Sequence, residues 1–233
     1  MPAKPLDHRP RVAAERRERM RRRLIESAMI VFADKGVGAS VIPDVVAAAE
    51  VSQGSFYNYF RTNEELLAAV ADELSGEMVQ LIEPVVGPIA DPALRVATAL
   101  RCYLHLARGH RLLARFLAAA GLRMPVQYNA TFRYLPADLE EGQKQGVFVD
   151  LPLEIVLELV AGAGIAALDH LARGRSRKDY PETIVAAVMR MLGMGVADAE
   201  RIAAGPLPKL TPDPDSLLAR AQARAATQAP ADA

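Results

Sequence analysis

Tryptophan is absent from this 233-residue chain, cysteine occurs once, and aromatic residues make up only 5% of it. A lone Cys102 excludes an internal disulfide and fits a reducing compartment, where it reads as a buried core residue. No glycine-rich phosphate loop, nucleophile elbow or His-Glu-x-x-His helix is present, so no recognisable catalytic chemistry is encoded and an enzyme is not expected. His105, His110 and His170 do not fall at metal-ligand spacing, and Cys102 with His105 lacks a third ligand, so neither metal nor cofactor is expected. The longest apolar run, from Ile155 to Ala167, is broken by Glu158 and reads as too short for a membrane span. The arginine-rich start lacks the apolar stretch of a signal peptide. A cytoplasmic chain with no membrane partner is the expectation.

What is present is hydrophobic residue, 51% of the chain, enough for one small and one larger helical domain. The formal net charge is zero, yet residues 1–23 hold nine lysines and arginines against three carboxylates, an excess of six positive charges. Such an arm suits a phosphate backbone or minor groove, or is a solvated tail; residues 1–17 are expected to be a disordered basic arm.

Residues 40–67 carry the most information. Ser40 can cap a helix, Pro43 is tolerated in its first turn, and Val41, Val45, Val46 and Ala49 share one face. Ser52 offers a second cap a dozen residues on, leaving room for one short helix and a turn. Beyond it, Phe56 and Phe60 can face a core while Gln53, Ser55 and Asn58 project outward, where they can reach base edges. Two short helices about a tight turn are the sequence form of a helix-turn-helix, and DNA recognition follows from it.

In register, Ser40, Val41, Val45, Ala49, Val51, Ser52, Gly54, Phe56, Tyr57, Tyr59, Phe60, Glu64 and Leu66 resemble the signature of the TetR family of bacterial transcriptional regulators. The resemblance spans residues 18–78, with the motif at 41–60. It implies an all-α chain: a three-helix DNA-binding domain, then a larger helical ligand-binding and dimerisation domain over 79–205. It also implies a ligand-released repressor that binds a double-stranded operator as a homodimer. Gln53, Ser55 and Asn58 would then read bases, with Gly54 among the DNA-binding residues. Ser40, Ser52, Tyr57, Tyr59 and Asn63 would hold the backbone, although Tyr57 can equally be a packing residue. Three positions depart from the pattern. Glu50 replaces a turn glycine, Val46 an alanine, and Asn63 a phosphate-directed lysine. Glu50 and Asn63 keep a second reading open, that of a regulator-like interaction protein with weakened DNA binding.

Apolar spacing and Pro/Gly punctuation divide the chain into about nine helices: 21–35, the two of the motif, one from Thr62 or Asn63 through Ile82, then 93–107, 112–120, 126–145, 152–173 and 181–194. The helix 152–173 is apolar on nearly every side and carries the small residues Ala161–Gly164. By resemblance, it and 181–194 form the homodimer interface; a core helix of a monomer is the alternative. Tyr103, His105, Phe116, Met124, Tyr128, Phe132 and Tyr134 lie on segments that, by resemblance, surround a small-molecule effector cavity, or else belong to the core. Residues 206–233, with prolines at 206, 208, 212 and 214, read as a flexible tail in which 216–226 can form a short helix.

Overall fold

The computed structural model describes residues 9–38, 41–121, 130–174 and 176–228, and these contain eleven helices and no strand. They are α1 (Arg9–Lys35), α2 (Ile42–Ala48), α3 (Gln53–Tyr57), α4 (Asn63–Val86), α5 (Pro92–Gly109), α6 (Arg111–Ala120), α7 (Ala130–Lys144), α8 (Leu153–Ala172), α9 (Tyr180–Met191), α10 (Val196–Ala203) and α11 (Leu217–Gln228). Nine of these match the helices read from the sequence. Two were not among those nine, α10 and the packed α11.

The head is built by α1 to α4. Leu24, Ile25, Ala28, Phe32, Val41, Val45, Ala49, Phe56 and Leu66 are wholly buried there, which is why three short apolar faces suffice for one small core. The body follows, with α5 packed on α7, α8 and α9, and α6 wedged between α1 and α8. Helix α5 starts cleanly because Asp91 Oδ1 accepts from the Leu94 amide at 3.0 Å and Pro92 sits in the first turn.

Three sequence expectations need correction. Residues 9–17 are not a disordered arm; they are helical, and α1 extends three turns beyond the head with residues 11–19 all exposed. Arg11–Glu15 and Glu18–Arg22 ion pairs at i,i+4 spacing support those turns. The segment 206–233 is not a flexible tail as far as residue 228: Leu217, Leu218 and Ala221 are fully buried, and α11 packs on α1, α4 and α6. The short helix read over 216–226 is therefore present, and what the prolines upstream concealed is that its apolar face has the head to pack on. Finally, α8 is long and apolar enough, by length and composition, to cross a membrane. Here it lies against α6, α5 and α7, with Glu154, Glu158 and Asp169 exposed.

Candidate nucleic-acid interface and effector cavity

The turn between α2 and α3 places Glu50 at φ 51°, in the left-handed region that glycine occupies without cost. The Glu50 carboxylate lies 2.9 Å from Arg23 Nη2, an exposed pair that adds little. Glu50→Gly is therefore expected to raise stability by about 1 kcal/mol or slightly less, since relief of the backbone exceeds the lost pair and the added chain entropy. A thermal midpoint unchanged or lowered would contradict this.

Ser52 caps α3: its Oγ accepts from the Ser55 amide at 3.1 Å and lies 2.9 Å from Ser55 Oγ. Phe56 is wholly buried and Phe60 nearly so, which turns Gln53, Gly54, Tyr57 and Asn58 outward. Ser55 is half-buried. So is Tyr59, which packs against the core. Arg21 lies over the Phe60 ring, 5.8 Å from its centroid, and so ties the basic helix to this end of the motif. Ser40 lies outside the described residues, and the residue preceding α2 is Val41, with no side-chain cap.

The start of α4 decides Asn63. Thr62 is the cap, its Oγ1 accepting from the Glu65 amide at 3.1 Å while Glu65 Oε2 accepts from the Arg61 amide at 2.8 Å. Asn63 points inward instead: its Nδ2 donates to the Val37 carbonyl at 3.1 Å, and its Oδ1 is buried without a partner among the described residues. It stitches the loop after α1 to α4. One amide N–H is thus committed to the loop after α1, and the side chain is turned away from the outward direction of a phosphate contact.

Between α4, α5 and α7 lies a cavity of about 220 Å³. Met78, Val79, Ile82, Val86, Val96, Leu100 and Leu135 make its apolar wall, with Tyr103 and Tyr134 beside them. One end is polar. Arg95 Nη1 donates to Asp138 Oδ1 at 2.7 Å, while its Nε and Nη2 donate to the Ile89 carbonyl; Glu83 is close by. Burial pushes the Asp138 carboxyl above the ordinary range although Arg95 pulls it down. Apolar walls with a few convergent polar groups are what a small-molecule site requires. Arg95 and Asp138 were not foreseen, because 43 residues separate them and only the packing of α5 on α7 brings them together.

Of the residues expected around an effector, Tyr103 and Tyr134 line this cavity. Phe116 does not: it is fully buried at the contact of α6 with α1, 6.4 Å from the Phe32 ring. His105 faces α9, with Nε2 2.7 Å from Glu182 Oε1, and Arg101 Nη2 lies 3.6 Å from the same oxygen. The helical period turns these residues away. Met124 and Tyr128 lie outside the described residues, as does the side chain of Phe132.

Burial works to raise the Glu182 carboxyl, but the His105 hydrogen bond, its own backbone amide and the charges of His105 and Arg101 outweigh it, so its pKa is lowered. A lowered folded-state pKa means stability present above the unfolded value and lost as pH falls through the folded one. Glu182→Gln is expected to be less stable at neutral pH and to lose less on acidification below the ordinary carboxylate range. Parallel melting curves of the two proteins against pH would disprove it. Cys102 is buried, which pushes its thiol up to about 11 although Arg101 opposes this, so it is an inert core group. Among the described residues no three His, Cys, Asp or Glu side chains are grouped to hold a metal ion.

Comparison with known proteins accords with this geometry. Residues 24–70 match the bacterial regulatory proteins of the tetR family, and residues 91–205 match the tetracyclin repressor-like C-terminal domain. The crystal structure of RolR in complex with resorcinol superposes with a TM-score of 0.61 at 32% identity, covering 85% of this chain and 100% of that one. The transcriptional repressor DhaR of Mycobacterium sp. (strain GP1) is 33% identical over 76 residues, 33% of this chain and 38% of its own. The repressor LfrR of Mycolicibacterium smegmatis is 35% identical over 89 residues, 37% of this chain and 46% of its own. These curated relatives are thus matched over less than half of their length. With a helix-turn-helix head at one end, a cavity in the helical body and both family segments matched in order, the chain belongs to the TetR family of bacterial regulatory proteins.

Proposed function

We propose that the protein is a cytoplasmic transcriptional repressor that grips operator DNA as a homodimer and releases it when a small molecule fills the α4–α5–α7 cavity. The observation that carries this reading is the double role of α4: its first turns close the head core through Leu66, Leu67 and Val70, and its later turns, Met78 to Val86, wall the cavity. A ligand that prefers one setting of α4 changes DNA affinity by that preference. RolR holds resorcinol, so small phenols are the first effectors to try.

Gln53 and Asn58 read bases in this proposal, with Ser55 beside them and Gly54 admitting the backbone; Ser52, Tyr57 and Tyr59 position phosphates, and the projecting arginines of α1 add salt-dependent affinity. The dimer forms through α8 and α9, whose Ile155, Leu159 and Met191 are exposed in the single chain. Titration with a duplex from the gene's own upstream region tests the whole reading. Gln53→Ala is expected to lose about 1–3 kcal/mol on that duplex and little on others, whereas Tyr57→Ala weakens all duplexes alike. Equal losses for both variants on every sequence would refute this division. No sequence-specific binding at low salt would favour instead an interaction protein that keeps the fold, the reading that Glu50 and the inward Asn63 support.

A further inference from the structure

The C-terminal helix lies beyond both matched family segments, which end at residues 70 and 205. After α10 the proline-rich stretch runs back past α4, where Thr211–Asp213 lie beside Glu77 and Leu81, and α11 then settles on the head. A helix held only for stability needs its three buried apolar residues and nothing more. This one also aims its polar side chains at four separate helices.

Arg220 forks between the head's two long helices, with Nε 2.7 Å from Glu26 of α1 and Nη2 2.8 Å from Glu73 of α4. Arg224 Nη2 donates at 2.8 Å to the carbonyl of Ala48, the last residue of α2 and two residues before the strained Glu50 turn that leads into α3. Gln222 Oε1 lies 2.9 Å from His110 Nδ1 at the start of α6, the helix that packs on α8. At its own start α11 is capped twice, by Ser216 Oγ, which accepts from the Ala219 amide at 3.1 Å, and from outside. The carboxylate of Glu77 on α4 accepts from the amides of Leu217 and Leu218. Met78, the next residue, lines the cavity.

We propose that α11 is a clasp that sets the angle of the helix-turn-helix on the body, with Arg224 and Arg220 as positioning residues for α3. The inference rests on the reading of α3 as the DNA-reading helix. A displacement of α4 on filling the cavity pulls on the Glu77 cap, and α11 passes it to the end of α2 through Arg224. Head position is thereby coupled to the cavity by a route outside the two family segments.

The test is hydrogen exchange on the full-length free protein, read beside the duplex titration of the same protein. Arg224→Ala is compared with Arg224→Lys, which keeps a donor for Ala48, and with Arg201→Ala, a control for loss of an exposed arginine from α10. Arg224→Ala is expected to speed exchange of the amides of residues 49–60 about tenfold, the size expected of one charge-assisted hydrogen bond, with α8 and α9 unchanged and partial rescue by lysine. Unchanged exchange over 49–60, or an equal rise throughout the chain, overturns the clasp. Faster exchange confined to the head in a protein that binds no duplex would leave the clasp standing and remove the DNA reading, so the two failures are distinguishable.

Discussion

Phe56→Ala is expected to cost about 3–5 kcal/mol and to melt the recognition element while the body stays helical. The ring is wholly buried, with Tyr57 edge-on at 5.5 Å and Phe60 tilted at 6.1 Å between centroids. Helix α3 has five residues, far below the length at which a helix holds itself together in water, so its order comes from this side chain and from the Ser52 cap. The loss is comparable to the whole stability of a small domain, about 5–15 kcal/mol. Calorimetry should show a head transition shifted well below that of the body, with exchange of residues 52–60 close to that of unfolded chain. A shift of only a degree or two would overturn this and mean that the neighbouring Phe60 and Tyr57 rings refill the site.

The double variant Ile155→Asp with Leu159→Asp is expected to convert the protein to monomers and to lower operator affinity at least a hundredfold. Both side chains lie on one face of α8, four residues apart, and each is 42% exposed in the single chain. Carboxylates there are hydrated in a monomer, so folding is little affected. In an interface that brings the two copies of α8 together, four unpaired charges are desolvated, which costs several kcal/mol. One head alone keeps half of the DNA contacts, and the gain from linking two half-sites disappears. Sedimentation velocity and duplex titration read the two effects separately. A variant that still sediments as a dimer would place the interface on other helices.

Much of the fold and of the helix-turn-helix head is legible in the sequence. Buried residues at helical spacing around the motif mark local structure, and local structure is set by neighbours three and four residues apart. For the same reason the outward placing of Gln53 and Asn58 followed from Phe56 and Phe60, whereas Ser55, read as outward, is half-buried and held by the Ser52 cap. Glu50 was noticeable only through the resemblance, where a turn glycine is usual, and the structure gives the reason, a φ of 51°.

The cavity was not legible in this way. His105 and Phe116 carry plausible side chains for a ligand, yet the rotation of α5 and α6 against their neighbours directs one to Glu182 and the other to Phe32. Arg95 and Asp138 meet only across two helices. Asn63 was judged by comparison with a lysine, whereas its actual partner is the carbonyl of Val37, 26 residues earlier.

The chain therefore specifies on its own the helix-turn-helix, the Ser52 cap of α3, its buried rings and the outward Gln53 and Asn58, because each of these depends on contacts within about one turn of helix. Which polar groups face the cavity, where Asn63 spends its amide, and that residues 217–228 close over the head through Arg220 and Arg224 were decided by packing. Those partners lie tens to nearly two hundred residues apart, and no spacing along the chain encodes a distance in space between them.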